Sequence, residues 1–276
     1  MAEHLSAASP LVVLNGHMHT LVSPDGRRWR VTVALPPVPT AFGRTRAVYV
    51  LDPASHFMHA VGSARNLART GGERFPQDLM IVGVGPDTDD NAELNVLRNY
   101  YLTPTERSGR EADAFQHGGA DDFADILASL FPSIESQYNA DPNDRTFAGH
   151  SFGGLFGSHV LLHRPQLFQR YLLSSPSLWW DDGFELREEQ RLVAGSTDRT
   201  ARVFLSAGQR EEGEPALQWP TAPLATDRMV SRMCEFEERL RARGHSSVTS
   251  WVVPNEHHTT VPPAAFMRGL FDLFAT

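Results

Sequence analysis

Five residues constrain this chain more than any others: Gly149-His150-Ser151-Phe152-Gly153. Thr146, Phe147 and Ala148 lead into them as a short buried strand should. Leu155, Phe156, His159, Val160, Leu161 and Leu162 follow in the manner of a buried helix, which Pro165 closes just after His163 and Arg164. The stretch therefore reads as strand, tight corner, helix, with Ser151 at the corner. Such a corner strains the serine backbone and lifts the hydroxyl above the sheet edge. Side chains two residues to either side are expected to collide with the turn, which suits Gly149 and Gly153. The Phe152 N–H opens the helix. It can face a developing oxyanion, where the helix dipole also favours negative charge.

This strand–turn–helix form of G-x-S-x-G is the nucleophile elbow of the α/β-hydrolase fold. The expectation is one domain over residues 1–276, with a mostly parallel central sheet and helices on both faces. A chain of 276 residues with 41% hydrophobic content can fill such a core. Its 25 Lys and Arg against 33 Asp and Glu give a net charge of -8, without a basic run. Nucleic acid is therefore not an expected partner, and polyanions meet long-range repulsion. The single cysteine, Cys234, excludes an intrachain disulfide and falls in a helical pattern as a small buried residue. No apolar stretch approaches the ~18 residues of a membrane span, and the N-terminus lacks the form of a signal peptide. The expectation is a cytoplasmic protein that does not engage a membrane, as a monomer or homodimer.

Residues 1–10 read as a loose tail. His17–Val22 and Trp29–Leu35 alternate as two strands around a Ser23-Pro24-Asp25-Gly26 turn, a hairpin at the sheet edge that Pro36-Pro37-Val38-Pro39 ends. Ala47–Leu51 is a central parallel strand, followed by a helix to about Arg69, and Leu79–Val84 is the next strand. Residues 85–120 are rich in Gly, Asp, Asn, Pro and Thr and show little periodicity. They read as a long loop insertion, a wall or lid over the site. Asp121 or Asp122 is the expected cap of a helix with Phe123, Ile126, Leu127, Leu130, Phe131 and Ile134 on its apolar face. Strands at Phe168–Leu173, Ala201–Ser206 and Ser247–Val253, a helix over Thr226–Arg243 and a closing helix from Pro262 to Phe274 complete the pattern.

A serine hydroxyl needs a base within hydrogen-bond reach, and in this fold the chain order is Ser, then Asp or Glu, then His. Five histidines follow Ser151. His159 and His163 lie on the elbow helix, pointing away from the turn, and His245 precedes a strand, at the wrong sheet end. His257 and His258 follow the last strand at the correct end, and the pattern alone does not separate them. Glu211 and Glu212 follow the penultimate strand, where the acid belongs; Asp181 and Asp182 compete from the strand before. The second oxyanion donor falls to Asp52 or Ala54, because Pro53 has no N–H.

Several stretches together resemble the esterase family of α/β-hydrolases that includes the enterochelin (enterobactin) and related siderophore esterases. They are Val50-Leu51-Asp52, Arg98–Pro104, Gly149–Leu155, Ser175-Pro176-Ser177-Leu178-Trp179-Trp180-Asp181 and Asn255–Ala265. The Ser-Pro-Ser-Leu-Trp-Trp run is the most specific of them. The resemblance implies that the base is His258, because His258-Thr259-Thr260-Val261 matches the family register and His257 does not. It also implies Glu211 as the acid, three residues after Gly208, although some siderophore esterases work with a Ser–His pair. The implied activity is a serine carboxylic-ester hydrolase acting on a small-molecule siderophore-type ester, another multi-ester or a macrolactone, with no metal and no organic cofactor. Acyl transfer, small-ester detoxification and trimming of a biosynthetic lactone are the alternatives. Phe57, Tyr100, Tyr101, His150, Trp179 and Trp180 are expected to line the pocket or to pack around it. Arg98 is expected to contact a substrate carboxylate or to pair with a nearby Asp.

Overall fold

A computed structural model describes residues 15–37, 43–106, 115–192, 200–212 and 228–275. The expected N-terminal tail, part of the 85–120 insertion, Val38-Pro39 and the first residues of the Thr226–Arg243 helix lie outside them.

The described strands form one eight-stranded sheet in the order β1-β2-β4-β3-β5-β6-β7-β8. They are β1 (Gly16–Val22), β2 (Arg28–Ala34), β3 (Thr45–Leu51), β4 (Leu79–Pro86), β5 (Ala140–His150), β6 (Arg170–Ser174), β7 (Arg202–Gly208) and β8 (Val248–Val253). β2 pairs antiparallel with β1 and with β4, and every other pairing is parallel. The hairpin thus stands at the sheet edge, as its alternating pattern predicts. The central parallel strands β3, β4, β6 and β7 are buried on both faces and read as continuous apolar runs, whereas the edge strand β8 exposes Thr249 and Ser250.

Along β3 the period of two sends Ala47, Tyr49 and Leu51 to one core, with Val48 and Val50 in the other. The first core packs Tyr49, Phe147, Phe156 and Tyr171 with α3 (Ala120–Tyr138), α4 (Phe152–His163) and α6 (Met229–Ala242). The second packs Phe57, Phe204 and Phe266 between the sheet, α1 (Pro53–Thr70) and α7 (Pro262–Phe274). Each of these aromatic rings contributes roughly 1.5–3 kcal/mol on burial.

Two helices depart from the expected pattern. The 85–120 insertion contains α2 (Asn91–Tyr101), opened by Asp90, whose carboxylate accepts the Ala92 N–H at 2.8 Å. Among its side chains only Tyr101 is fully buried, so the apolar period is weak. The second is α5 (Trp180–Arg191), whose first turn is broken by left-handed φ at Asp181, Asp182 and Gly183. The cap of α3 also differs. It is Gly119, while Asp121 and Asp122 sit in the first turn and Asp122 accepts the Tyr100 hydroxyl at 2.9 Å. Cys234 is only partly buried against the first core. No helix among the described residues is long and apolar enough to cross a membrane.

Candidate active site

The C-terminal ends of adjacent strands deliver the site. Asp52 follows β3, Ser151 follows β5, Ser175 follows β6, Glu211 follows β7 and His258 lies beyond β8. This is the edge at which open α/β sheets bind ligands.

Ser151 has φ 59° and ψ −119°, a region that a non-glycine residue occupies only where the surroundings hold it. Several contacts do so. The Ser151 N–H donates to the Ser174 carbonyl at 3.0 Å, and the Ser177 N–H donates back to the Ser151 carbonyl at 3.2 Å. Gly149 is required, since a Cβ there would overlap the Gly153 carbonyl. The same expectation fails for Gly153, where a Cβ would meet only ordinary contacts at 3.6 Å. Gly154 is the position that needs its hydrogen, because a Cβ would come within 2.9 Å of Pro176 Cα. The Ser-Pro-Ser run therefore braces the elbow from below.

His258 Nε2 lies 2.9 Å from Ser151 Oγ, and its Nδ1 lies 2.7 Å from Glu211 Oε2. A carboxylate only accepts, so it fixes the proton on Nδ1 and leaves Nε2 free to accept from the serine hydroxyl. The Glu211 side chain is 1% exposed. Its other oxygen accepts the Ser175 hydroxyl and the Gly208 N–H, each at 2.7 Å. These bonds compensate the burial of the charge and aim the carboxylate. Ser175, at φ 41°, is a contributor that sequence reasoning missed; its only signal was its place at the head of the Ser-Pro-Ser-Leu-Trp-Trp run.

Two of the rival acids, Glu212 and Asp181, are engaged elsewhere. Glu212 accepts from the backbone N–H of Ser231 at 2.9 Å and from its hydroxyl, at the start of α6. Asp181 accepts the Thr105 hydroxyl at 3.1 Å. His257 Nε2 lies 3.4 Å from Arg210.

Behind His258 stands a column of imidazoles. The His150 ring centroid is 4.5 Å from that of His258, and His56 is 5.2 Å from His150. His150 Nδ1 is 3.0 Å from Ser174 Oγ. Burial drives His150 well below the usual imidazole range, helped by the neighbouring His258 and His56. Burial also lowers His56, to about 4, against the opposing pull of Asp52. Both rings are thus neutral near neutral pH and place no full charge beside His258.

On the other side of Ser151, Arg98 of α2 donates through Nε to Asp52 Oδ1 at 2.9 Å. Its guanidinium carbon stands 5.2 Å from the Phe152 ring centroid. This partner is the nearby Asp of the two expected alternatives. Asp52 Oδ2 has no hydrogen-bond partner among the described residues. The Phe152 N–H is the first of α4, and the Ala54 N–H is the first available in α1 after Pro53. Neither position has an intrahelical acceptor. Asp52 itself has φ 50°, and its carbonyl accepts from Ser55 and His56.

The aromatic candidates divide. Trp180 is 1% exposed and donates its indole N–H to the Thr105 hydroxyl at 3.2 Å, packing 5.3 Å from the Phe152 ring. Tyr101 is buried against Trp29, and its hydroxyl donates to Asp25 at 3.1 Å. Phe57 is buried in the second core, although it also borders a cleft of about 550 Å³. That cleft opens beside Asp52, Ala54, His56 and Arg98. Trp179 is partly exposed and lies 6.1 Å from Phe152.

A hydroxyl raised on a strand-to-helix corner, with base and acid arriving from later strands of the same sheet, is the arrangement of serine hydrolases of the α/β-hydrolase class, and the chain is one of them. Within that class it belongs to the family described as "Putative esterase", which matches residues 23–259. The chain is 28% identical to the ferri-bacillibactin esterase BesA of Bacillus subtilis, over 81% of each chain. It is 32% identical to the apo-salmochelin esterase of Escherichia coli O6:H1, over 91% of this chain and 76% of that one. Among solved structures, the siderophore hydrolase EstA of Aspergillus nidulans superposes with a TM-score of 0.82 at 25% identity, covering 98% of this chain and 97% of that one. The protein is an ester-hydrolysing enzyme.

Proposed function

We propose that the protein hydrolyses siderophore-type multi-esters or macrolactones through an acyl-enzyme on Ser151. His258 Nε2 takes the hydroxyl proton as Ser151 Oγ attacks the ester carbonyl. The N–H groups of Phe152 and Ala54, with the Arg98 guanidinium, stabilise the oxyanion. The tetrahedral intermediate collapses, and His258 gives its proton to the leaving alcohol. Water, deprotonated by His258, then attacks the acyl-enzyme, and the acid departs as Ser151 recovers its proton. Glu211 holds His258 in the required tautomer throughout. The observation that carries this reading is the unbroken relay from Glu211 through His258 to Ser151, at 2.7 and 2.9 Å.

The substrate class is supported by what the relatives are named for, and by the cleft beside Arg98. Its lining charges balance: Arg30 and Arg98 against Asp52 and Asp89. A cleft without surplus positive charge, in a chain of net charge -8, suits an uncharged hydroxamate ester better than a trianionic catecholate. Within a single hydrolase domain, α2 and the segment that leads into it, through Pro86, Thr88, Asp89, Leu94 and Arg98, form the wall on that side. The test compares kcat/KM on a hydroxamate trilactone, a catecholate trilactone and a short p-nitrophenyl ester. The neutral trilactone is expected to be cleaved fastest. Strong preference for the anion would overturn the charge argument, and activity on the short ester alone would remove the siderophore class.

Glu211→Gln is expected to keep the fold and lower kcat by roughly 10²–10⁴-fold, because an amide can hold the wrong His258 tautomer. Glu212→Gln should leave kcat near wild type, since it touches only the start of α6. Steady-state kinetics on both variants check this; a fully active Glu211→Gln would mean that a Ser–His pair suffices.

A further inference from the structure

The second half of α4 carries a polar cluster that ester hydrolysis does not use. His159 and His163 are one turn apart on this helix, with ring centroids 4.4 Å apart. His159 comes eight residues after Ser151, about 12 Å along the helix axis. Facing both rings is Glu185 of α5, whose side chain is 0% exposed. Glu185 Oε1 lies 3.0 Å from His159 Nδ1. Its Oε2 lies 4.0 Å from His163 Nε2. Among the described residues, neither Glu185 Oε2 nor His163 Nε2 has a hydrogen-bond partner.

An ordinary ion pair accounts for only half of this. It satisfies Oε1 through His159 and leaves a buried carboxylate oxygen and a buried imidazole nitrogen facing each other, too far apart for a hydrogen bond. Unpaired polar atoms at such depth are costly. A cation between them would satisfy both. Ligand atoms around a tetrahedral zinc ion sit ~2.0–2.2 Å from the metal and hence ~3.4 Å from one another. The donor atoms of these three residues already lie within 4.8 Å of one another.

We propose that His159, His163 and Glu185 form a binding site for a divalent transition-metal ion, Zn²⁺ above all. The ligands are His159 Nδ1, His163 Nε2 and the Glu185 carboxylate, a nitrogen and oxygen set that suits zinc. Two histidines four apart on a helix face present their rings to one point. The outer partner that metal-bound histidines commonly have is present as well: Asp121 Oδ1 lies 3.4 Å from His159 Nε2 and can accept its N–H. The His163 side chain is 25% exposed although its Nε2 is buried, so the site lies close beneath the surface, and a water would take the fourth position. The ion would fasten α4 to α5, and through Asp121 to the start of α3, and so brace the helix that carries the elbow.

Metal-stripped protein titrated with Co²⁺ tests this. Wild type is expected to bind one equivalent, with visible absorption bands that Zn²⁺ abolishes, and Zn²⁺ should raise its unfolding temperature. His163→Asn, at a partly exposed position, should fold and bind at least ~100-fold more weakly, with no Zn²⁺ shift in unfolding temperature. Asp121→Asn, which leaves all three ligands in place, should bind ~10–100-fold more weakly. No saturable binding to wild type, or equal binding to wild type and His163→Asn, would overturn the proposal.

Discussion

His258→Ala is expected to lower kcat by about 10⁴–10⁶-fold, with Ser151→Ala equally impaired and the double variant no worse than either. The reason is that the two residues act as one unit. Without the imidazole, no other described side chain stands within hydrogen-bond reach of Ser151 Oγ to take its proton. Without the hydroxyl, the imidazole has no nucleophile to serve. The relay is formed at 2.9 and 2.7 Å with Ser151 already held at its strained φ of 59°. Hence the loss should fall on kcat far more than on KM. His257→Ala is the matched control. Its ring lies 3.4 Å from Arg210 rather than beside Ser151, and the activity of this variant should stay close to wild type. Progress curves on one ester for wild type and the four variants measure this directly.

The second large effect belongs to Arg98. Its Nε is fixed by Asp52 at 2.9 Å and its guanidinium lies beside the Phe152 ring, next to the N-terminus of α4. In the proposed mechanism the remaining N–H groups of a guanidinium so held face charge that develops only in the transition state. Removing one such donor typically costs ~10²–10³-fold in kcat. Arg98→Ala should lose that much. Arg98→Lys should recover little, because an ammonium cannot bond Asp52 through one nitrogen and offer others in a fixed plane. Asp52→Asn should move in the same direction by freeing the guanidinium. A purely structural role predicts instead a lowered unfolding temperature with kcat preserved. Kinetics together with thermal unfolding separate the two.

Much of this was legible in the sequence, for reasons that differ by element. The elbow announces itself because a buried strand, a Gly-flanked Ser and a buried helix follow one another without a gap. The central parallel strands stand out as continuous apolar runs because both faces are covered. α2 was not legible: its burial is shallow, and it sits in a stretch crowded with turn formers. α5 was hidden by three left-handed residues at its start. In the site, strand order narrowed the base to His257 or His258 and the acid to four carboxylates. Only the family resemblance separated these, and the structure brings His258 and Glu211 to Ser151. Ser175 and the packing of His56 on His150 had no such signal. Small polar residues carry no periodicity, and the column is assembled from three separate segments. The pairing of Asp52 with Arg98, 46 residues apart in sequence, likewise depends on α2 folding back over the end of β3.

The most direct test of the central claim is the intact mass and peptide map of the protein after exposure to a fluorophosphonate. A single stoichiometric adduct is expected on the peptide bearing Ser151, formed slowly in His258→Ala and absent from Ser151→Ala. An adduct on another residue, or an unlabelled wild type that is folded and cleaves esters, would contradict it.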